Sequence, residues 1–193
     1  RFYYLTLMNE NYSHPKRPKS ATTENIIKGA YKYLENKDPS LRILASGVTL
    51  NFAIDAEKEL KKLGISTEIW SITSFNELYK DGIEVERLNR YENKKSVSYV
   101  ESCFSECLPT VAVSEYVRAY TNQIRQWVNG DYVTLGTDGF GRSDTRKELR
   151  NYFEISKDHI VINALIVSGN KDKAEKYIKD KKIDLNAKAP WLR

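Results

Sequence analysis

Short runs rich in β-branched and aliphatic residues alternate along this chain with longer runs of helical periodicity, and that alternation is its strongest constraint. Residues 41–45, 67–72, 110–113 and 132–135 read as strands, and 49–63, 75–90, 116–128 and 144–152 follow them as helices. Strands separated by helices can pair in parallel only through crossover connections, so a mainly parallel sheet covered by helices is expected. Local signals agree. Ala53, Ala56, Leu60 and Leu63 recur at three-or-four spacing, Glu57 precedes Lys61 by four, and Gly64 can close that helix in the left-handed conformation. Tyr120, Ile124, Trp127 and Val128 form a second apolar stripe that ends at Asn129-Gly130. Residues 160–167 are apolar on nearly every side and are read as a buried helix with Ser156 at its cap, the alternative being a buried strand. Residues 31–34 read as a short extra strand and 172–182 as a charged C-terminal helix.

Composition bounds what such a domain can do. Hydrophobic residues make up 40% and charged residues 30% of the 193, which is globular and far from collagen-like or disordered sequence. The longest apolar run is well short of the ~20 residues that cross a bilayer, so no membrane partner is expected. The net charge of +5 is spread along the chain, and Lys16, Arg17 and Lys19 lack stacking aromatics, so no nucleic-acid partner is expected either. Two cysteines, Cys103 and Cys107, are too few for a disulfide scaffold, and the reading is of a cytoplasmic protein. The chain opens on Phe2-Tyr3-Tyr4-Leu5-Thr6-Leu7, a strand pattern without lead-in, which suggests a piece of a longer polypeptide. Residues 13–20, with two prolines and three positive charges, read as a linker.

The most informative stretch is Gly136-Thr137-Asp138-Gly139-Phe140-Gly141-Arg142-Ser143-Asp144, between a predicted strand and a predicted helix. Ligands of open α/β sheets gather at such positions, because helix starts present free N–H groups there. The glycines are spaced Gly-x-x-Gly-x-Gly and not in the dinucleotide order, no Gly-Lys-Ser/Thr follows, and Asp138 and Asp144 would repel an anion. The loop therefore reads as a tight turn, with Thr145 and Glu148 at capping-box spacing after it. Phe140 at its tip has little local core to enter, which points to docking against another domain or subunit. A zinc site lacks ligands, since Cys103 and Cys107 stand four apart and His14 and His159 are remote in sequence. Nor do two histidines without a nucleophile elbow assemble a triad. Asp138-Gly139 with Asn163 comes near the Mg²⁺ pattern of thiamine diphosphate enzymes, Gly-Asp-Gly followed by Asn. Thr137 replaces the first glycine, however, and Asn163 falls in an apolar stretch, so the match is read as accidental.

Asn9-Glu10-Asn11-Tyr12, Trp70-Ser71-Ile72-Thr73-Ser74-Phe75-Asn76-Glu77-Leu78, Asp81-Gly82, Glu86-Arg87 and above all residues 135–144, continued by Leu149-Arg150 and Phe153-Glu154, resemble the C-terminal part of homodimeric bacterial pyruvate dehydrogenases. The similarity runs along essentially the whole chain, although Leu88 stands where that family usually has Trp. The resemblance implies a transketolase-like C-terminal domain: a three-layer α/β/α fold with a mainly parallel five-stranded sheet and one antiparallel edge strand. Residues 1–12 would be the last strand of a preceding thiamine-fold domain, 13–20 the linker and 21–193 the domain itself.

The complete enzyme, on this resemblance, decarboxylates pyruvate with thiamine diphosphate and Mg²⁺ and acetylates the lipoyl group of the dihydrolipoyl acetyltransferase component. Its partners are the remaining domains of the chain and the second subunit of a homodimer. No cofactor or metal is expected in this fragment, no catalytic residue is assigned to it, and alone it is expected to be inactive. Asp138, Phe140, Arg142, Ser143 and Asp144 are the interface candidates. The alternative is a stand-alone α/β module that binds an anionic ligand at residues 136–144.

Overall fold

The computed structural model describes all residues except Arg1, Tyr3, Thr6, Asn9, Asn93, Lys94, Leu185 and Arg193. The strand expected over residues 2–7 therefore lies partly outside the described residues, as does Asn9 of the Asn9–Tyr12 motif. Residues 13–20 run without helix or strand. Helix α1 (Thr23–Lys28) follows, capped by Thr22 and closed by Gly29 at φ 108°. Then come β1 (Ala30–Leu34), β2 (Leu41–Ala45), α2 (Thr49–Lys62), β3 (Thr67–Ile72), α3 (Phe75–Glu92), α4 (Tyr99–Cys103) and β4 (Thr110–Val113). The chain finishes with α5 (Arg118–Asn122), a 3-10 turn (Arg125–Trp127), β5 (Tyr132–Leu135), α6 (Arg146–Tyr152), α7 (Lys157–Val167), α8 (Lys171–Lys181) and a second 3-10 turn (Pro190–Leu192). Among the described residues no helix is long and apolar enough to cross a membrane.

The strands form one sheet in the order β1-β3-β2-β4-β5, in which β2, β3, β4 and β5 are parallel and β1 is antiparallel on the edge. Every residue of β2, β3 and β4 is buried, as expected of parallel strands covered on both faces. Alternation along the strands sends side chains to two cores. Leu41, Ile43 and Ala45 meet Ala53, Ala56 and Leu60 of α2 and Ile160, Val161, Ala164 and Leu165 of α7, with α8 outside them. Leu44, Trp70 and Ile72 face Phe75 and Leu78 of α3, Val100 of α4, and Phe104, Ile124 and Trp127. Fully buried side chains such as Leu60, Phe75 and Ile160 each contribute roughly 1.5–3 kcal/mol of apolar burial. This is the helix-covered, mainly parallel sheet that the alternation predicts, in the α/β/α arrangement that the resemblance implies.

Three local expectations need correction. Residues 116–128 do not make one helix: Val117 is extended, α5 stops at Asn122, and Ile124 at φ −100° and ψ 0° turns the chain into the 3-10 segment that inserts Trp127 into the core. Tertiary contacts favour that break, since Nη1 of Arg125 donates to the Tyr132 carbonyl at 2.5 Å. Helix α6 begins at Arg146, because Asp144 and Thr145 serve as its approach and N-cap. Ser156 stands at the cap position of α7, but its hydroxyl contacts Nδ1 of His159 at 2.9 Å and caps no backbone N–H. Helix α4 ends at Cys103, and Cys107 lies beyond it.

Candidate interdomain interface

All connections that leave β2, β4 and β5 emerge at one end of the sheet, and the glycine loop lies there. Gly136 is required by close approach: a Cβ on it would stand 2.6 Å from the Tyr116 carbonyl oxygen and 2.7 Å from the Arg118 amide nitrogen. The Thr137 amide donates to the Tyr116 carbonyl at 2.9 Å, and its hydroxyl donates to the Glu115 carbonyl at 2.9 Å, so the loop is stitched to the β4–α5 connection. Gly139 has φ 102°, and a Cβ there would come within 3.0 Å of the Trp191 Cα. The C-terminal 3-10 turn is thus packed directly on the loop.

The five interface candidates divide into two kinds. Asp138 is turned inward: it accepts the Arg118 amide at 3.0 Å, which opens α5, and it forms an ion pair with Nε of Arg118. The Arg118 guanidinium in turn lies 4.1 Å from the centre of the Trp191 ring. Asp144 accepts the Thr145 amide at 2.6 Å, and Thr145 caps α6 by accepting the Glu148 amide at 3.3 Å. At these two helix starts the Arg118, Thr145 and Glu148 amides therefore already have acceptors inside the chain. Arg142 donates to the Tyr152 hydroxyl at 3.2 Å and lies over its ring. Phe140 stands out at 86% exposure, and Ser143 is exposed beside it. The candidates share one loop, on which Phe140 and Ser143 are directed outward while Asp138, Arg142 and Asp144 are tied to other parts of the chain.

Three residues around the loop escaped sequence reasoning. Arg118 and Trp191 carry no motif, and only the short apolar run Pro190-Trp191-Leu192 in a lysine-rich tail hints at a docked end. Arg150, named only within the resemblance, links Glu115 to Tyr12. A thiamine diphosphate and Mg²⁺ site does not fit these residues. Asp138 is held by Arg118, and Asn163 spends its amide on the His159 carbonyl at 2.9 Å inside α7. Among the described residues no group of three or more His, Cys, Asp or Glu could hold a metal ion. The thiol of Cys103 is raised above its ordinary pKa by burial, and Cys107 is exposed.

The transketolase-like TK C-terminal domain profile matches residues 29–156, the span from the turn before β1 to the cap of α7. This chain belongs to the transketolase-like C-terminal domain family. Transketolases of Pichia stipitis and Leishmania mexicana share the fold, with TM-scores of 0.59 and 0.58 at 18% and 20% identity. Those alignments cover 81% and 78% of this chain and 20% and 19% of theirs. In sequence the chain is homologous to the C-terminal region of pyruvate dehydrogenase E1 components. It is 47% identical to that of Pseudomonas aeruginosa over 172 residues, which cover 85% of this chain and 19% of the relative. The figures for Cupriavidus necator are 39% over 202 residues, covering 98% and 22%. For Escherichia coli K12 they are 38% over 170 residues, covering 85% and 19%. The chain thus spans about a fifth of the length of the relatives it matches.

Proposed function

We propose that this chain is the C-terminal domain of a thiamine diphosphate-dependent pyruvate dehydrogenase and that its own task is assembly. In the complete enzyme, pyruvate is oxidatively decarboxylated and the lipoyl group of the dihydrolipoyl acetyltransferase component is acetylated, in the cytoplasm. Thiamine diphosphate and Mg²⁺ are bound by the parts of that enzyme outside these residues, and the 193 residues alone are inactive. The observation that carries this reading is the identity of 38–47% to E1 components along at least 85% of the chain.

The assembly role draws support from the surface. Phe140 is exposed on a loop whose neighbours are tied down, which is the presentation of an aromatic anchor at an interface. Phe2, Tyr4, Leu5 and Leu7 are also exposed and would enter a preceding domain as its last strand. In the complete enzyme, Phe140→Ala should weaken dimerisation by roughly tenfold or more, the effect of losing a central interface aromatic. Turnover with an artificial electron acceptor should fall in step with the dimer population. Sedimentation and turnover that both match the parent protein would refute the role. A second prediction separates domain from enzyme: the 193-residue chain with added thiamine diphosphate and Mg²⁺ should show no pyruvate-dependent reduction.

A further inference from the structure

Outside the carboxyl ends of β2 and β4, where open α/β sheets take ligands, this chain places a side chain of its own. Arg150 of α6 is 13% exposed there and reaches three other parts of the chain. Its Nε donates to the Glu115 carboxylate at 3.0 Å, and its Nη2 donates to the Tyr12 hydroxyl at 2.8 Å. Its guanidinium plane lies 4.7 Å from the Phe52 ring centre on α2 and 5.6 Å from that of Tyr12. A planar fork with five donors can serve two acceptors while stacking on rings, which a lysine ammonium cannot. One turn earlier on the same helix, Arg146 pairs with Glu10 at 3.1 Å. The entering segment is therefore clamped to α6 at two points.

The clamp leads on to the glycine loop. Glu115, held by Arg150 through its side chain, accepts the Thr137 hydroxyl through its main-chain carbonyl, and the adjoining Tyr116 carbonyl accepts the Thr137 amide. We propose that Arg150 is a positioning residue that couples the seating of residues 10–12 to the conformation of the loop carrying Phe140. When Tyr12 sits on Arg150, Glu115 is fixed and the loop is held at Thr137. When Tyr12 leaves, that restraint relaxes. The coupling runs through contiguous hydrogen bonds and goes beyond the assembly role; it stands whether or not Phe140 meets a second subunit.

Amide hydrogen exchange in the full chain tests it. Tyr12→Phe removes one hydroxyl, whose hydrogen-bond partners are Glu10 and Arg150. It should speed exchange across residues 137–141 by about fivefold, the order of one net hydrogen bond, and leave β2 and β4 unchanged. Arg150→Met should do the same, and adding Tyr12→Phe to it should change nothing further. Should Arg150→Met fail to fold, Arg150→Lys takes its place, because it keeps the charge but loses the rigid fork that spans Glu115 and Tyr12. Loop exchange within about twofold of the parent in Tyr12→Phe would overturn the proposal, as would an undiminished Tyr12→Phe effect in the Arg150 variant. Neither result depends on dimerisation or turnover.

Discussion

The six-membered ring of Trp127 occupies the space in which a side chain at position 82 would begin: a Cβ built on Gly82 would stand 2.5 Å from two of its ring carbons. The indole Nε1 donates to Glu86 of the same helix at 2.9 Å, so Trp127 is fixed at both ends of its contact with α3. Helix propensity favours Gly82→Ala by ~1 kcal/mol. Overpacking a buried ring against helix backbone costs ~1–3 kcal/mol. Steric cost wins, and Gly82→Ala should lower stability by up to about 2 kcal/mol in urea unfolding; a stabilised variant would show that α3 shifts freely.

Arg42 and Glu68 form an ion pair at 2.6 Å between neighbouring strands, and both side chains are almost wholly buried. Lys32 adds a contact at 3.0 Å, and the Trp70 indole N–H donates at 3.1 Å. Burial alone would raise the Glu68 carboxyl pKa, but its bonds to Arg42, Lys32 and Trp70 overcome this and hold it below the ordinary value. A depressed folded pKa contributes stability that is fully present above the unfolded value, ~4.3, and is lost as pH falls through the folded one. Unfolding free energy should therefore fall on acidification from that value downward, and Glu68→Gln should flatten this part of the profile. Arg42→Met should cost less than the ~3–5 kcal/mol of a wholly unpaired buried charge, because Lys32 and Trp70 still hold Glu68, and Glu68→Leu in the same chain should restore part of it.

The two thiols should separate kinetically. Burial raises the Cys103 pKa, whereas Cys107 is exposed beyond the end of α4. Thiolate is the reactive form, so near neutral pH a disulfide reagent should label Cys107 first and Cys103 much later, the latter accelerating toward alkaline pH. Equal rates in Cys103→Ala and Cys107→Ala single variants would contradict the burial of Cys103.

Tyr132 lies at the start of β5 with its hydroxyl donating to the Thr121 carbonyl at 2.7 Å in the core. Burial drives its pKa far above that of a free tyrosine. Tyr132→Phe should cost ~1 kcal/mol in chemical denaturation, one net hydrogen bond. The native protein should show no ionisation of this ring by ultraviolet titration until it unfolds.

The central strands and long helices were legible because hydrophobic period and helix length agree there: 41–45, 67–72, 110–113 and 132–135 coincide with β2 to β5. Shorter elements escaped because nothing local announces them. Helix α1 has six residues, none buried, and α4 has five, its capping box of Ser98 and Glu101 standing without an apolar periodic run. The break at Ile124 was invisible because its cause, the seat of Trp127 on Gly82, is a contact between elements far apart in sequence. In the glycine loop, Gly136 and Gly139 could be read from their type, since close approach and positive φ demand glycine. The inward turn of Asp138 could not, because it depends on Arg118, twenty residues earlier, and on the tail at Trp191.

One reversed strand decides which pole of the domain meets what comes before it. Ala30, the first residue of β1, pairs with Ile72 at the exit of β3, and Leu34 pairs further back at Ile69. The entering segment consequently arrives beside the loops that leave β2, β4 and β5, where Glu10 and Tyr12 meet α6. A parallel β1 would deliver it about 13 Å away at the opposite pole, given ~3.3 Å per step along a strand. By running one edge strand backwards, the fold gathers incoming chain, glycine loop and C-terminal turn on a single side, and leaves the far side of the sheet out of that traffic.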